Sequence, residues 1–465
     1  MTALASDILD PITRADLLRV ATAPGFDRWR QQITRTGGCA APIRLRGWTK
    51  TLDRRSGAVL HHYATTDEPG GVLRVACGNR RASRCPSCAT VYAADTYHLI
   101  RAGLVGGSKG VGDAVRTHPR VFATLTAPSF GPVHNRPGTG RCRCGHQHAE
   151  NDPDLGTALD PDTYDYATAV LWNNYAGELW NRFTQYLVRE IAQRAGLSRS
   201  RLKDVARVSY AKVAEYQKRG AVHFHAVIRI DGPEGTDDTP PAWATVDLLT
   251  DAIRAAARRA ELVAPAAKPH PARLIRWGRQ LDVRPIRAFG DGSQITEQAV
   301  ASYVAKYATK AAETTGTLDR RIAELADLDR HQVPDHARRL IAACLALDDD
   351  YPERNLQRWA HMLGFRGHFA SKSRRYSTTL TAIRDERAAF RAAEQRAALG
   401  LPEPGPDRDP TTLTPTHWIY AGQGLTPGES LIAAGIAASL RENRETAREE
   451  LAYQRVTEGE PTHAR

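Results

Sequence analysis

His223 and His225 lie one residue apart in Val208–Ile230, VSYAKVAEYQKRGAVHFHAVIRI, a run that reads as two β-strands joined at Lys218-Arg219-Gly220. Alternate residues of a strand share a face, so both imidazoles point one way and Phe224 the other. With that turn, Glu215 on the first strand falls opposite His223 and on the same face. Two nitrogens and one carboxylate then meet a single divalent ion and leave positions for substrate oxygens or water, a catalytic layout rather than a closed structural one. A lone H-x-H pair more often marks the wet face of a half-buried strand. The metal reading therefore leans on Glu215, which a shifted register would exchange for Gln217, and on what lies downstream.

Downstream, Ile295–Glu313 reads ITEQAVASYVAKYATKAAE, with a helical composition that puts Tyr303 and Tyr307 at i and i+4 on one face. Lys306 and Lys310 each follow a tyrosine by three residues. A tyrosine stripe at this spacing also serves a core, because each ring buries a large area. Cations beside both phenols suit a site that handles phosphate, where they stabilise phenolate and hold the phosphodiester.

H-x-H on a strand followed by Y-x-x-K-Y-x-x-K on a helix resembles the HUH endonucleases, which include the rolling-circle replication initiators. Val121-Phe122-Ala123-Thr124-Leu125-Thr126 looks like the first motif of that family, His223-Phe224-His225 matches the metal motif, and Tyr303 to Lys310 looks like the two-tyrosine third motif. Single-tyrosine relatives share Lys-Tyr-x-x-Lys, which would select Tyr307. A lower-resolution resemblance, to the replication initiators of actinobacterial plasmids and integrative conjugative elements, rests on Gly364–Phe369, Ser371–Ser377, Leu171-Trp172-Asn173 and the cysteine-bearing N-terminal region.

The resemblance implies a metal-dependent nickase. A tyrosine attacks single-stranded origin DNA, giving a 5′-phosphotyrosine and a 3′-hydroxyl that polymerase extends. Mg²⁺ or Mn²⁺ is the implied catalytic ion, and host helicase and polymerase are the implied partners. Two other readings stay open: a relaxase or transposase using the same residues for DNA transfer, and a non-catalytic, zinc-stabilised DNA-binding regulator with the tyrosines in its core.

The formal charge of +12 and sequence pI of about 9.5 favour a polyanionic partner through release of condensed counterions. Arg80, Arg81 and Arg84 beside the cysteines, and the Lys372–Tyr376 run with its aromatic ring, are candidate DNA contacts. Cys77, Cys85 and Cys88 occur in CGNRRASRCPSC, where C-P-S-C has zinc-knuckle spacing. Cys39 is the candidate fourth ligand of a structural Zn²⁺ site. Cys142, Cys144, His146 and His148 crowd too closely to reach one tetrahedral ion without strain. They form either a partial loop or a second zinc site that borrows a ligand from elsewhere. Cys344 sits in a helical pattern and reads as core.

These sites need elements to hold them. Leu171, Tyr175, Leu179, Phe183, Leu187 and Ile191 recur every fourth residue, and Ala242–Val263 carries a similar stripe, so both read as helices packing on a sheet. Strands are expected at Ile43–Trp48, Val72–Ala76, Val121–Thr126 and Leu281–Ile286, and helices at Arg320–Leu328, Asp335–Leu347, Asn355–Leu363 and Ser430–Leu451. The expected class is α+β, a central antiparallel sheet with flanking helices. Along the chain it divides into an N-terminal zinc lobe (1–112), an endonuclease domain (113–314), a helical extension with a basic segment (315–400), and a linker, helix and disordered tail (401–465). No apolar run is long enough for a membrane span and no leader is visible, so a cytoplasmic protein is expected.

Overall fold

A computed structural model describes residues 9–138, 140–267, 270–286, 297–308, 320–398 and 412–457. The expected tail beyond Thr457, most of the Gly400–Pro415 linker, and Lys310 lie outside the described residues, as does the side chain of Tyr307. The fold is mixed, with antiparallel sheets and helices, and packs into two units, residues 93–387 and residues 1–92 together with 388–465.

The first unit is organised by β1 (Ile43–Asp53), which pairs antiparallel with β2 (Val59–Ala64) and β3 (Leu73–Val75). From the far end of the chain, β11 (Thr412–Leu413) and β12 (Thr416–Gln423) also pair with it, so the packing division runs differently from the order along the chain. At Gly47 the strands approach so closely that a Cβ would lie 1.9 Å from the His417 carbonyl oxygen. Only glycine fits there. Helices α1 (Pro11–Ala21), α2 (Phe26–Arg35) and α10 (Pro427–Thr457) belong to this unit, with Val20, Trp29, Ile33 and Ala433 in their core. α3 (Pro86–Val105) begins at the cysteine knuckle.

The second unit contains a sheet in the order β10-β5-β6-β4-β9, all neighbours antiparallel: β10 (Ala370–Lys372), β5 (Arg207–Tyr216), β6 (Val222–Asp231), β4 (Arg120–Leu125) and β9 (Leu281–Pro285). α4 (Tyr166–Arg194) is capped by the Asp165 carboxylate accepting from the Thr168 N–H at 2.9 Å. All six stripe residues of α4 are buried, each stabilising by about 1.5–3 kcal/mol relative to exposure. Trp180 of α4 meets Phe224 of β6 edge-on, with centroids 5.7 Å apart. Phe224 therefore belongs to the core face, which leaves His223 and His225 on the opposite one. α6 (Val246–Arg259), started by the Thr245 cap, joins α4, while β7 (Glu261–Ala264) and β8 (Arg273–Arg276) form a small ribbon. α5 (Arg199–Val205), α7 (Glu297–Ala308), α8 (Asp335–Ala346) and α9 (Leu380–Ala398) complete the described helices, and Cys344 is fully buried in α8.

Some expected elements come out differently. The helices expected at Arg320–Leu328 and Asn355–Leu363 are reduced to 3₁₀ turns at Leu325–Leu328 and Gln357–Met362. Asn355 and Leu363, at φ 53° and 49°, bracket the second turn and stop an α-helix from extending. The C-terminal region is not only helical, since β12 lies within it. Tyr376, a candidate base-stacking residue, is fully buried. Its hydroxyl donates to the Ile100 carbonyl at 3.2 Å, and Arg229 lies over its ring at 5.0 Å, so it cannot reach a base.

Arg229 also anchors a buried ion network. It donates to Asp231 through Nε and, at 2.9 Å, through Nη2, while His118 Nδ1 lies 2.8 Å from the same carboxylate. Burial pushes the Asp231 carboxyl upward, but the hydrogen bonds from His118 and Arg229 outweigh it and hold the carboxyl below its ordinary range. A depressed carboxyl contributes stability above its unfolded value, about 3.9, and loses it as pH falls through the folded value. Asp231→Asn is expected to cost about 3–5 kcal/mol by leaving a buried guanidinium uncompensated. Urea unfolding at neutral pH measures this, and a loss below about 1 kcal/mol would mean that the network is no stronger than a surface pair.

Candidate metal centre

The turn between β5 and β6 is Lys218–Gly220, closed by the Gln217 N–H donating to the Ala221 carbonyl at 2.9 Å. Gly220 has φ +76°, a left-handed conformation that favours glycine, and a Cβ there would also displace the Leu340 and Leu363 methyls, at 2.5 and 2.9 Å. Buried Asn173 of α4 secures the turn. Its Nδ2 donates to the Gly220 carbonyl at 2.8 Å and to the Leu363 carbonyl at 2.9 Å, and its Oδ1 accepts from the Val222 N–H at 2.9 Å. This pins the register, with Glu215 opposite His223 and Val213 opposite His225.

Glu215 Oε2, His223 Nε2 and His225 Nε2 form a triangle with all three sides 3.1 Å. Cis ligands of an octahedral ion with bonds of about 2.1 Å lie about 3.0 Å apart, so the donor set fits a divalent cation of the Mg²⁺ or Mn²⁺ kind. Burial pushes Glu215 upward, but hydrogen bonds from His223 and His225 prevail and hold it at about 2. Burial pushes His225 down, which favours the neutral, ligating imidazole.

Residues on neighbouring elements orient these groups. Thr124 of β4 pairs directly with His225 across the strands, and its Oγ1 lies 3.0 Å from His225 Nδ1. That contact occupies Nδ1 and leaves Nε2 facing the site. Phe122, two residues earlier, stacks on the His225 ring at 5.8 Å and 1°. Thr124→Val is expected to weaken divalent-metal affinity about 10–100-fold while leaving the fold intact. Calorimetric Mn²⁺ titration checks it, and unchanged affinity would show that Thr124 does not orient the imidazole.

α7 brings Tyr303 to the same point. Its hydroxyl lies 3.1 Å from His225 Nε2, and its ring meets His225 and Phe122 edge-on at 4.9 and 5.6 Å. The helix is held by Glu297 in its first turn, buried and hydrogen-bonded to buried Arg120 of β4. Lys306, one turn beyond Tyr303, is exposed, and Tyr307 lies at i+4. Sequence reading singled out Val121–Thr126 as a motif but gave Phe122 and Thr124 no role of their own, and it named neither Arg120 nor Glu297 as part of the site. Alternation along β4 puts Phe122 and Thr124 on one face, but only strand pairing shows that this face is the one His225 occupies.

In the other unit, Cys39, Cys77, Cys85 and Cys88 converge. The Sγ separations Cys77–Cys88, Cys39–Cys85 and Cys39–Cys88 are each 3.7 Å. Four thiolates around zinc at about 2.3 Å lie about 3.8 Å apart, so the group is compatible with structural zinc. Backbone N–H groups of Cys77 and Ala40 donate to Cys39 and Cys85 at 3.3 and 3.4 Å, as thiolates require.

A third group corrects the expected set. His146 is exposed and does not join Cys142, Cys144 and His148. His134 does. The Cys142–Gly145 turn is so tight that the Cys142 N–H reaches the His146 carbonyl at 2.9 Å, and the His146 side chain faces solvent.

What the geometry defines is an antiparallel sheet bearing a two-imidazole, one-carboxylate centre with a phenol beside it, and a four-cysteine cluster in a separate unit. A family model described as "Replication initiator protein, pSAM2" (RepSA) matches residues 25–438. A replication initiator protein of Streptomyces ambofaciens is 67% identical over 455 residues, 97% of this chain and 98% of that protein. The chain belongs to the pSAM2-type replication initiator family. No solved structure matches it, and no helix among the described residues is long and apolar enough to cross a membrane.

Proposed function

We propose that this replication initiator is an HUH-type nickase that binds origin DNA and opens one strand through a tyrosine, for rolling-circle replication of a plasmid or integrative conjugative element. The observation that carries this is the convergence of Glu215, His223, His225 and the Tyr303 hydroxyl on one sheet face, with separations of 3.1 Å.

Glu215, His223 and His225 would hold Mg²⁺ or Mn²⁺, which supplies Lewis-acid stabilisation of the charge that develops on the scissile phosphate. Tyr303 Oη attacks phosphorus and forms the new P–O bond to the 5′ side as the bond to O3′ breaks. The phenol proton leaves to solvent and O3′ gains one, so one phosphodiester replaces another and its energy is kept for rejoining. Lys306, one turn along α7, neutralises the approaching backbone. Tyr307, with Lys310 three residues on, would accept the strand at termination. The 3′-hydroxyl is then extended by polymerase behind a host helicase, and zinc at Cys39, Cys77, Cys85 and Cys88 holds the N-terminal lobe.

The test uses single-stranded origin DNA of the host element, with Mn²⁺ or Mg²⁺, read by denaturing gel and peptide mass. The expected result is a tyrosine–DNA adduct that disappears with EDTA and with His223→Ala. Tight binding without any adduct would replace this reading with the non-catalytic DNA-binding one.

A further inference from the structure

The Cys142–His148 turn does not stand alone. Pairing of Val133 with Ala158, with the His134 N–H donating to the Thr157 carbonyl at 2.9 Å and the Gly156 N–H to the His134 carbonyl at 2.8 Å, sets His134 beside it. His134 Nδ1 then lies 3.2 Å from His148 Nε2 and 3.9 Å from Cys142 Sγ, and Cys144 Sγ lies 3.3 Å from His148 Nε2. All four donor atoms fall within 4.8 Å of one another. Two further contacts have the character of ligand support. The Asp152 carboxylate takes His148 Nδ1 at 2.8 Å, so Nε2 faces the other donors, the arrangement in which a carboxylate orients a metal-bound imidazole. The Asn135 N–H lies 3.5 Å from Cys142 Sγ, where it supports a thiolate.

We infer that His134, Cys142, Cys144 and His148 form a second structural zinc site, a closed two-thiolate, two-imidazole centre distinct from the four-cysteine cluster, and that this zinc shapes one wall of a DNA-binding cleft. The donor set matches zinc in number and kind, and with four protein ligands it leaves no open position for catalysis.

The cleft follows from where the loop sits. His134, Asn135, Arg136, Leu155 and Gly156 line one side of a cavity of about 1190 Å³. Its other sides carry Lys218 and Arg219 from the hairpin turn, Arg258 from α6 and Arg279 before β9; no carboxylate occurs among its described lining residues, and the carboxylate beside Arg136, Glu150 at 3.7 Å, forms a solvent-exposed pair that an approaching phosphate can displace. Arg219 is fixed by the carbonyls of Ala127 and Pro128, at 2.9 and 2.6 Å, and by Gln217 Oε1 at 2.9 Å, all neutral groups, so no carboxylate cancels its charge. A cavity walled by cations on several elements suits a phosphate backbone, which binds by neutralisation and counterion release. Beyond the Val133–Ala158 bridge the loop is tied by single hydrogen bonds, such as Lys218 Nζ to the Glu150 carbonyl at 2.9 Å, so a bound zinc would add the cross-link that fixes the Cys142–His148 turn against His134. The cleft's role rests on the reading that DNA is the partner, whereas the zinc assignment does not.

The test measures zinc content of the full chain and its salt-dependent binding to origin DNA without divalent catalyst, so neither readout needs strand cleavage. His134→Ala is expected to lose one zinc equivalent relative to the wild type, His134→Cys to keep it because thiolate can replace imidazole, and His146→Ala to keep it. Wild-type zinc content in His134→Ala, or loss in His146→Ala, overturns the site. With zinc content unchanged, Arg136→Gln with Arg258→Gln is expected to lower the slope of log affinity against log salt by about 1–2. An unchanged slope overturns the cleft.

Discussion

Tyr303→Phe is expected to abolish the protein–DNA adduct and lower origin nicking by at least about 1,000-fold, with DNA affinity unchanged within about twofold. The substitution removes one oxygen. The ring keeps its edge-on contacts with His225 and Phe122, at 4.9 and 5.6 Å, so the fold and metal centre are retained. A loss this large needs a group that makes the bond, since loss of an ordinary hydrogen bond costs only about 0.5–1.5 kcal/mol, or roughly tenfold at most. Tyr307→Phe is expected to leave the first cleavage intact and to impair strand closure. Gel analysis of adduct formation and religation separates the two, and an adduct surviving in Tyr303→Phe but lost in Tyr307→Phe would transfer the nucleophile one helical turn along α7.

Cys39→Ser is expected to remove zinc from the four-cysteine cluster and to unfold the segment around it. Zinc bound by four thiolates contributes about 10–16 kcal/mol to small metal-dependent folds, more than the total stability of a typical domain. Cys39 is fully buried and lies 3.7 Å from both Cys85 and Cys88, so no other residue can take its place without moving the chain. The measurement is zinc content together with hydrogen exchange across residues 36–90. Fast exchange there with loss of zinc is the expected result, and native protection without zinc would show that packing alone holds the lobe. Cys344→Ser should do neither, being an apolar core residue in α8.

The hairpin, the alternation along it, the helical stripe of α4 and the i, i+4 tyrosines were legible because each is a local pattern set by backbone periodicity. The side of the sheet on which His223 and His225 stand followed from Phe224 between them. Cys39 as the partner of Cys77, Cys85 and Cys88 was legible by ligand number. His134 was not, because the nearer His146 occupies a tight turn whose geometry sends its side chain outward. β12 was hidden because its partner β1 lies more than 350 residues earlier, and Tyr376 looked like a surface aromatic because its neighbours in sequence are cationic.

The sequence by itself determined the donor types and their spacing within each element, since these depend on residues a few positions apart. Only the tertiary structure decided which elements meet. Thr124 against His225, Arg120 against Glu297 beneath α7, and the Tyr303 hydroxyl against His225 arise from pairing between segments separated by many residues. Such pairings are selected by burial and shape over the whole sheet, and they leave no periodic mark in the segments that make them.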